Sequence, residues 1–578
     1  MSVAVLYFMR KFLDWLDEIA ETNQENVFAK WLERTAFFFL ILMVLSAPHS
    51  IAATQTAWLI GMFAWLIRLF IKPRPKLFRT KLDLPLWLFF GWSVITSLTS
   101  YAPDISIDKL RGVALFLIFY FVINQLKSIR AVKFLAVALV FSCMFNVLWT
   151  PLERIIGRGV EIYGVAENSP LTKAIYVQNN NEPIVLKDGD TLVKIGKKKI
   201  YSPEDLLAEF EQNETVSFQF YRPDYYLTVQ IKRADLLNGT TANEKLGFAD
   251  WKKSRNWRSA GFYGHWTTYG EVLQLILSFT FGLFIASISI KKVEEGEKPR
   301  RSFLLFTFYS LLNKMTFSPL LLFCVAAMSL ALLLNVTRAS QLAFLVAAFA
   351  MVFVVNRKMV LVLAVILLPL VLGGLLFLQQ SRNVGFFDLN DESIKYRQTV
   401  YREGFNLWTE NARHFTLGVG MDSLKRYAKD WRLFDNGRLP QGHFHSTPIQ
   451  LVVERGFFAL FLWLWILWIY ARTLLRYFKF QKISDFRFQI PDSKSQIETN
   501  STNQFGIWNL EFGIILGIFG GLVGFFTSGL VHYNLGDAEV AMIFFMLMAF
   551  GMYIADSRFQ ISDSKLEQTQ PNNLEFEI

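Results

Sequence analysis

The sequence predicts an α-helical polytopic membrane protein of about twelve transmembrane helices, with one small α+β domain inserted on the extracytoplasmic side. Three observations carry this. Of 578 residues, 53% are hydrophobic and 16% aromatic, more than a water-soluble globular chain carries. Apolar runs recur at a length near the roughly 20 residues that a helix needs to cross a bilayer. One long polar stretch, 151–268, interrupts them and shows strand-like patterning.

Taken in order, residues 1–34 mix apolar and charged side chains ("YFMRKFLDWLDEIAETNQENVFAKWLER") and predict a cytoplasmic amphipathic segment lying on the membrane. The region 35–150 holds spans one to five, at 35–50, 51–71, 84–100, 110–126 and 131–150. The inserted domain comes next, over 151–240, then an outer loop over 241–268. Spans six to nine lie within 269–378, at 269–290, 317–336, 338–356 and 359–378. A large outer loop, 379–446, precedes spans ten to twelve within 447–555, at 447–473, 507–530 and 536–555. The polar stretches 476–506 and 556–578 read as flexible, the latter as a cytoplasmic tail.

Charge placement orients the chain. The formal charge is +11, and Lys and Arg cluster at 72–81, 127–133, 291–301, 356–358 and 471–482. With twelve spans and an inner N-terminus, every cluster falls on the cytoplasmic side, the positive-inside pattern. The basic excess therefore calls for no nucleic acid. Cys143 and Cys324 both sit in apolar runs and suggest neither a disulfide framework nor a metal cluster. The N-terminus reads without a cleavable signal peptide.

Within 151–268, "VEIYGV", "TLVKIG", "VSFQFY" and "YLTVQI" read as strands. "SPEDLLAEFEQ" reads as a helix capped by Ser202, with Pro203 at its first position and Glu204 and Asp205 at its positive end. "KDGD" is a turn. Over 155–233 this order resembles a PDZ domain, a fold that takes an extended peptide as an added strand. The resemblance implies a peptide ligand. The segment where its carboxylate loop would lie, "IIGRG" (155–159), departs from the family's glycine-leucine pattern.

The chemistry is expected in 379–446, a loop too long to be a mere connector. It carries Arg382, Arg397, Arg402, Arg413 and Arg432 on the side where orientation does not call for positive charge, which suits an anionic ligand. All six histidines, at 49, 265, 414, 443, 445 and 532, fall in or beside outer loops. Arg338 lies inside a very long apolar run; if the run is two spans, it marks their outer turn.

These residues resemble the O-antigen ligase and polymerase superfamily of membrane glycosyltransferases. "HSTPIQLVVERGFFA" fits the family's His–polar–x9–Gly–x2 motif with His445, Ser446 and Gly456, while Ala459 stands where the family has Thr, Tyr or Gly. "VTRAS" is similar to its Thr/Ser-Arg segment, "YRQTVYREGFNLWTENARHFTLGVG" to its Arg-x3-aromatic stretch and Gly-x-Gly turn, and "RSAGFYGHWTTYGEVLQ" to its loop before the sixth span. The resemblance implies a metal-independent, cofactor-free enzyme of the bacterial inner membrane. It would move a glycan from an undecaprenyl-pyrophosphate carrier to a lipid A-core hydroxyl, or to another glycan or protein acceptor, on the periplasmic face. His445 matches the family's base and Arg338 and Arg397 its pyrophosphate-binding arginines, with Arg402 as the alternative in register. His265 and Tyr263 would line the acceptor side, His443 would shape the loop, and Gly456 would let a helix approach closely. Membrane lipids are the remaining partner.

The closest competing readings share the donor: an O-antigen polymerase, or a protein O-oligosaccharyltransferase. A zinc intramembrane protease would need His-Glu-x-x-His, which the chain lacks, and no Gly-x-Ser-x-Gly occurs either. A lipid-linked glycan transporter would show charged or broken helices in symmetric repeats, and no such repeat is visible.

Overall fold

The apolar runs fold as helices because a backbone in hydrocarbon must satisfy its own hydrogen bonds. The structure is a computed structural model that describes residues 3–22, 24–177, 183–222, 225–255, 257–288, 317–357, 392–439, 442–487 and 502–569. Among these residues, seven helices are long and apolar enough to cross a membrane. They are α7 (Ile129–Ile156), α10 (Trp266–Ile288), α11 (Phe317–Asn335), α12 (Arg338–Val355), α17 (Thr447–Arg487), α18 (Thr502–Gly529) and α19 (Ala538–Thr569), the spans proper being parts of the longer ones. The helix α4 (Asp83–Leu98) is apolar but shorter.

The remaining expected spans differ for local reasons. Helix α1 (Val3–Ala20) precedes α2 (Val27–Ser46), whose first two turns carry Lys30, Glu33 and Arg34. Helix α3 (Ile51–Arg68) begins on a Ser50 cap and is diluted by Thr54, Gln55 and Thr56. The expected single span at 110–126 is instead α5 (Pro103–Val113), a 3-10 turn (Ala114–Phe116) and α6 (Leu117–Gln125). Asp104, Asp108, Lys109 and Arg111 make α5 amphipathic, which separates it from the apolar α6. The expected span 359–378 lies outside the described residues, as does Arg382. The stretches read as flexible are partly helical: α17 runs on to Arg487 and α19 to Thr569. Arg558 explains part of this, donating to Glu511 of α18 and so tying the extension down.

The chain folds as two compact units. The first comprises Met1–Phe145, Thr267–Leu332 and Thr337–Ile578. In it, α18 packs closely on α10 through a Gly-x-x-x-Gly face. A Cβ on Gly517 would lie 2.3 Å from the carbonyl oxygen of Phe279, and one on Gly513 would lie 2.9 Å from the Ala286 side chain. An ion cluster joins α2 to α3: buried Glu33 accepts from Arg68 at 2.8 Å and from Lys127 at 2.6 Å. Arg68 is itself only 2% exposed. Glu33→Ala would leave that guanidinium buried without its carboxylate, so we expect a loss of about 3–5 kcal/mol, read as earlier thermal aggregation in detergent.

The second unit, Asn146–Trp266 with Leu333–Val336, is built on one antiparallel sheet in the order β3-β2-β7-β6-β4-β1-β8, with β5 beside β4. Its strands are β1 (Arg158–Val165), β2 (Ala174–Tyr176), β3 (Pro183–Ile184), β4 (Thr191–Ile195), β5 (Lys198–Lys199), β6 (Thr215–Arg222), β7 (Tyr225–Lys232) and β8 (Phe248–Ser254). Val160, Ile162, Leu192, Phe218, Phe220 and Val229 fill its core beneath α8 (Pro203–Gln212). At the start of α8 the Asp205 carboxylate accepts the Ser202 N–H at 3.1 Å. The "KDGD" turn is closed by Asp190, which accepts the Lys187 N–H at 2.9 Å.

The segment read as a loop, 241–268, adds α9 (Ala242–Leu246) and β8 to this unit, because Leu246 and Phe248 are buried in the same core. This bears on the expected peptide. The strand β1, which contains "VEIYGV", pairs with β4 on one side and with β8 on the other. Both sides of β1 are thus filled from within the chain, and the sheet ends on β3 and β8.

Candidate functional site

The histidine segment is shaped by the residue between its imidazoles. Phe444 is fully buried in an aromatic and aliphatic cluster with Val400, Leu407, Phe434 and Val453. Its ring stacks on Phe434 at 6.2 Å. This anchor leaves His443 and His445 side by side, with ring centroids 4.2 Å apart, His443 exposed and His445 half-buried. His445 has φ +48, a left-handed conformation that few non-glycine residues adopt.

Two hydrogen bonds hold that conformation. The His445 N–H donates to Nδ1 of His443 at 3.2 Å. A backbone amide can only donate, so His443 Nδ1 is the acceptor in this contact. From the helix α13 (Glu392–Thr409), the Tyr401 hydroxyl donates to the His445 carbonyl at 2.9 Å. Tyr396, on the same helix, sets its ring edge-on to the His445 imidazole at 5.5 Å. Burial pushes both phenols up to about 12, with Arg397 pulling the other way, so Tyr401 stays a neutral donor at any physiological pH. Arg397 is half-buried, four residues from Tyr401 and therefore on the same helical side.

Arg402 faces elsewhere. Among the described residues it is the one cation lining an open groove of about 460 Å³ between α13 and the start of α17, whose other walls include Tyr401, Phe405, Trp408, Ile449 and Leu460. Arg338 is half-buried at the first position of α12. His265 and Tyr263 belong to the second unit, where His265 is exposed and stacks on Trp266, and Tyr263 is buried.

The motif's glycine does more than admit a neighbour. At Gly456 the chain has φ +74 and ψ −179, which interrupts α17. The carbonyls just before the break are taken up from outside the helix. Val453 accepts from the Val419 N–H, Glu454 from the Gly420 N–H and Arg455 from Trp92 Nε1, each at 2.8 Å. The Gly-x-Gly turn (418–420) is thus bonded to the break itself. The close partner of Gly456 is the carbonyl of Thr416 in the short helix α14 (Ala412–Leu417), so a helix does approach closely at this glycine, as its sequence suggested.

Several contributors were not singled out in the sequence. Glu454 is buried and accepts from Gln450 Nε2 and from the Asp422 N–H, both at 2.8 Å. Burial raises the carboxyl of Asp422 itself, but Lys109 and Lys425 outweigh this and hold it below its ordinary value. Arg455, 2% exposed, reaches Ser93 and the hydroxyl of Tyr533, and Tyr533 lies edge-on to His443 at 5.9 Å. The motif already contains "ER" before Gly456, and a charged pair within an apolar run was the available signal. Other loop residues prove structural. His414 is buried between the Tyr101 hydroxyl and the Leu407 carbonyl, both at 2.9 Å, and Arg413 lies 3.9 Å over the Tyr101 ring.

Among the described residues, no cluster of three or more His, Cys, Asp or Glu is placed to hold a metal ion. No curated protein matches the chain. Residues 323–464, well under half of it, match the family model for the O-antigen ligases, Wzy_C. The matched stretch contains Arg338, Arg397, Arg402, His443 and His445, and excludes His265 and Tyr263. The chain is therefore a multi-pass membrane protein with an O-antigen ligase-like region over 323–464.

Proposed function

We propose that this protein is a glycosyltransferase of O-antigen ligase type. It transfers a glycan from a polyprenyl-pyrophosphate carrier, undecaprenyl pyrophosphate, to an acceptor hydroxyl on lipid A-core, at the periplasmic face of the bacterial inner membrane. The observation that carries the reading is the family match, which encloses the pinned His445 and the three candidate arginines in one stretch.

In this reading His445 takes the proton of the acceptor hydroxyl as the sugar–phosphate bond breaks. An imidazole titrates near neutrality, and the two bonds to its backbone fix where the ring stands. The leaving pyrophosphate gains negative charge, which Arg397 and Arg338 neutralise; a planar guanidinium fits phosphate oxygens in pairs. The groove beside Arg402 suits a lipid with an anionic head, because its walls are apolar around a single cation. No step calls for a metal ion. Polymerase or protein-directed transfer would use the same donor chemistry with another acceptor.

Arg397 provides the test. We expect Arg397→Ala to lower kcat/KM for the carrier-linked donor by about 10²–10³-fold. Arg397→Lys should recover little, since an ammonium lacks the paired geometry. Release of carrier pyrophosphate by the purified protein in detergent measures both. Wild-type turnover in the alanine variant would remove Arg397 from the site.

A further inference from the structure

We propose that Glu271 and His532 form a buried acid–imidazole pair that positions the histidine segment for transfer. The proposal rests on the reading of His445 as the base. Glu271 lies in α10, a helix apolar enough to cross a membrane, and is 2% exposed; His532 is 6% exposed. His532 Nδ1 and Glu271 Oε1 are 2.6 Å apart. A carboxylate in such a helix is costly unless it has a partner, and this partner comes from the far end of a different helix, beyond α18.

The helices bring the two together by packing. The glycine face of α18 runs along α10, and at Gly524 it is still close enough that a Cβ would meet Gln274. Glu271 lies almost one turn before Gln274 in α10, and His532 comes just after the end of α18, so the pair closes this seam.

His532 and the two residues after it hold the segment that contains His445. The His532 carbonyl accepts the Thr447 N–H at 3.1 Å, and the Thr447 hydroxyl lies 3.2 Å from the same oxygen and 2.9 Å from Asn534 Oδ1. Asn534 is fixed in turn by donating to the Phe525 carbonyl at 2.7 Å and to Ser528 at 3.0 Å. Tyr533, between them, meets the His443 ring. Residues 532–534 are thus a template laid against 443–447; the Glu271 carboxylate anchors the template itself to α10, while Thr268 of α10 holds the same loop further on, at Asp537, at 2.6 Å. Glu271 and His532 are positioning residues: the contacts that link them to His445 run through Thr447 and the backbone.

The test uses the full-length protein and reads two quantities. In Glu271→Ala, kcat should fall at least tenfold while the donor KM stays within twofold. Glu271→Gln should recover most of the rate, because its amide oxygen still accepts the imidazole N–H. Independently of turnover, diethyl pyrocarbonate should modify His443 and His445 several-fold faster in Glu271→Ala than in wild type, by peptide mass spectrometry. If Glu271→Ala does not fold, His532→Asn takes its place, since its backbone carbonyl still holds Thr447. Wild-type kcat, or unchanged modification of the two histidines, would overturn the proposal. If the base reading is the one at fault, His445→Ala will retain transfer while the modification result stands.

Discussion

Replacing His445 by alanine is expected to give a folded protein whose transfer rate has dropped by about 10²–10⁴-fold, the range that a positioned proton acceptor contributes. The fold should survive because the contacts that shape this residue act on its backbone. The N–H is held by His443 and the carbonyl by Tyr401, and truncating the side chain leaves both bonds in place. Histidine is commoner than alanine at positive φ, so the substitution at φ +48 adds a small backbone strain but removes neither bond. Size-exclusion elution and melting temperature should match wild type, and the loss should appear in kcat. Tyr401→Phe separates position from chemistry: it keeps the imidazole but frees the carbonyl, so a partial loss is expected.

The second large effect is on stability. Gly456→Ala places a Cβ 1.9 Å from the carbonyl oxygen of Thr416, at a residue with φ +74. With ψ −179 this is a backbone region that essentially only glycine adopts, and it alone costs alanine about 1–3 kcal/mol. Backbone movement to relieve the clash adds about 1–3 kcal/mol. The movement has nowhere easy to go, because the carbonyls of Val453, Glu454 and Arg455 are bonded to the Gly-x-Gly turn and to Trp92. A total of about 2–6 kcal/mol should show as a clear drop in melting temperature and in yield of monodisperse protein. A variant as stable as wild type would mean that the break in α17 is not needed.

How far the sequence reaches can be judged residue by residue. Long apolar helices were legible because hydropathy over some twenty residues averages out local error, and α10, α12 and α18 lie where their runs predict. The break of 110–126 into three pieces was not, since it depends on where α5 turns its charged face. Strand order was partly hidden too. The sequence offered β1, β4, β6 and β7, but β8 reads as polar loop because its partner, β1, decides that it is a strand. At the candidate site, "HFHS" was visible as a pattern, yet its geometry was not. Tyr401 could be placed on one helical side with Arg397, but that it reaches the His445 carbonyl is a tertiary fact. Glu271 and His532 are 261 residues apart, and no local signal joins them.

The proposed reaction is transfer of a carrier-borne glycan. The most direct test gives purified wild-type protein in detergent a radiolabelled undecaprenyl-pyrophosphate glycan, with and without lipid A-core, in EDTA. The predicted result is label on lipid A-core, dependent on that acceptor and indifferent to EDTA. Label on longer carrier-linked glycan would keep the donor chemistry but make the enzyme a polymerase. A donor left intact under every condition would rule out glycan transfer from this carrier.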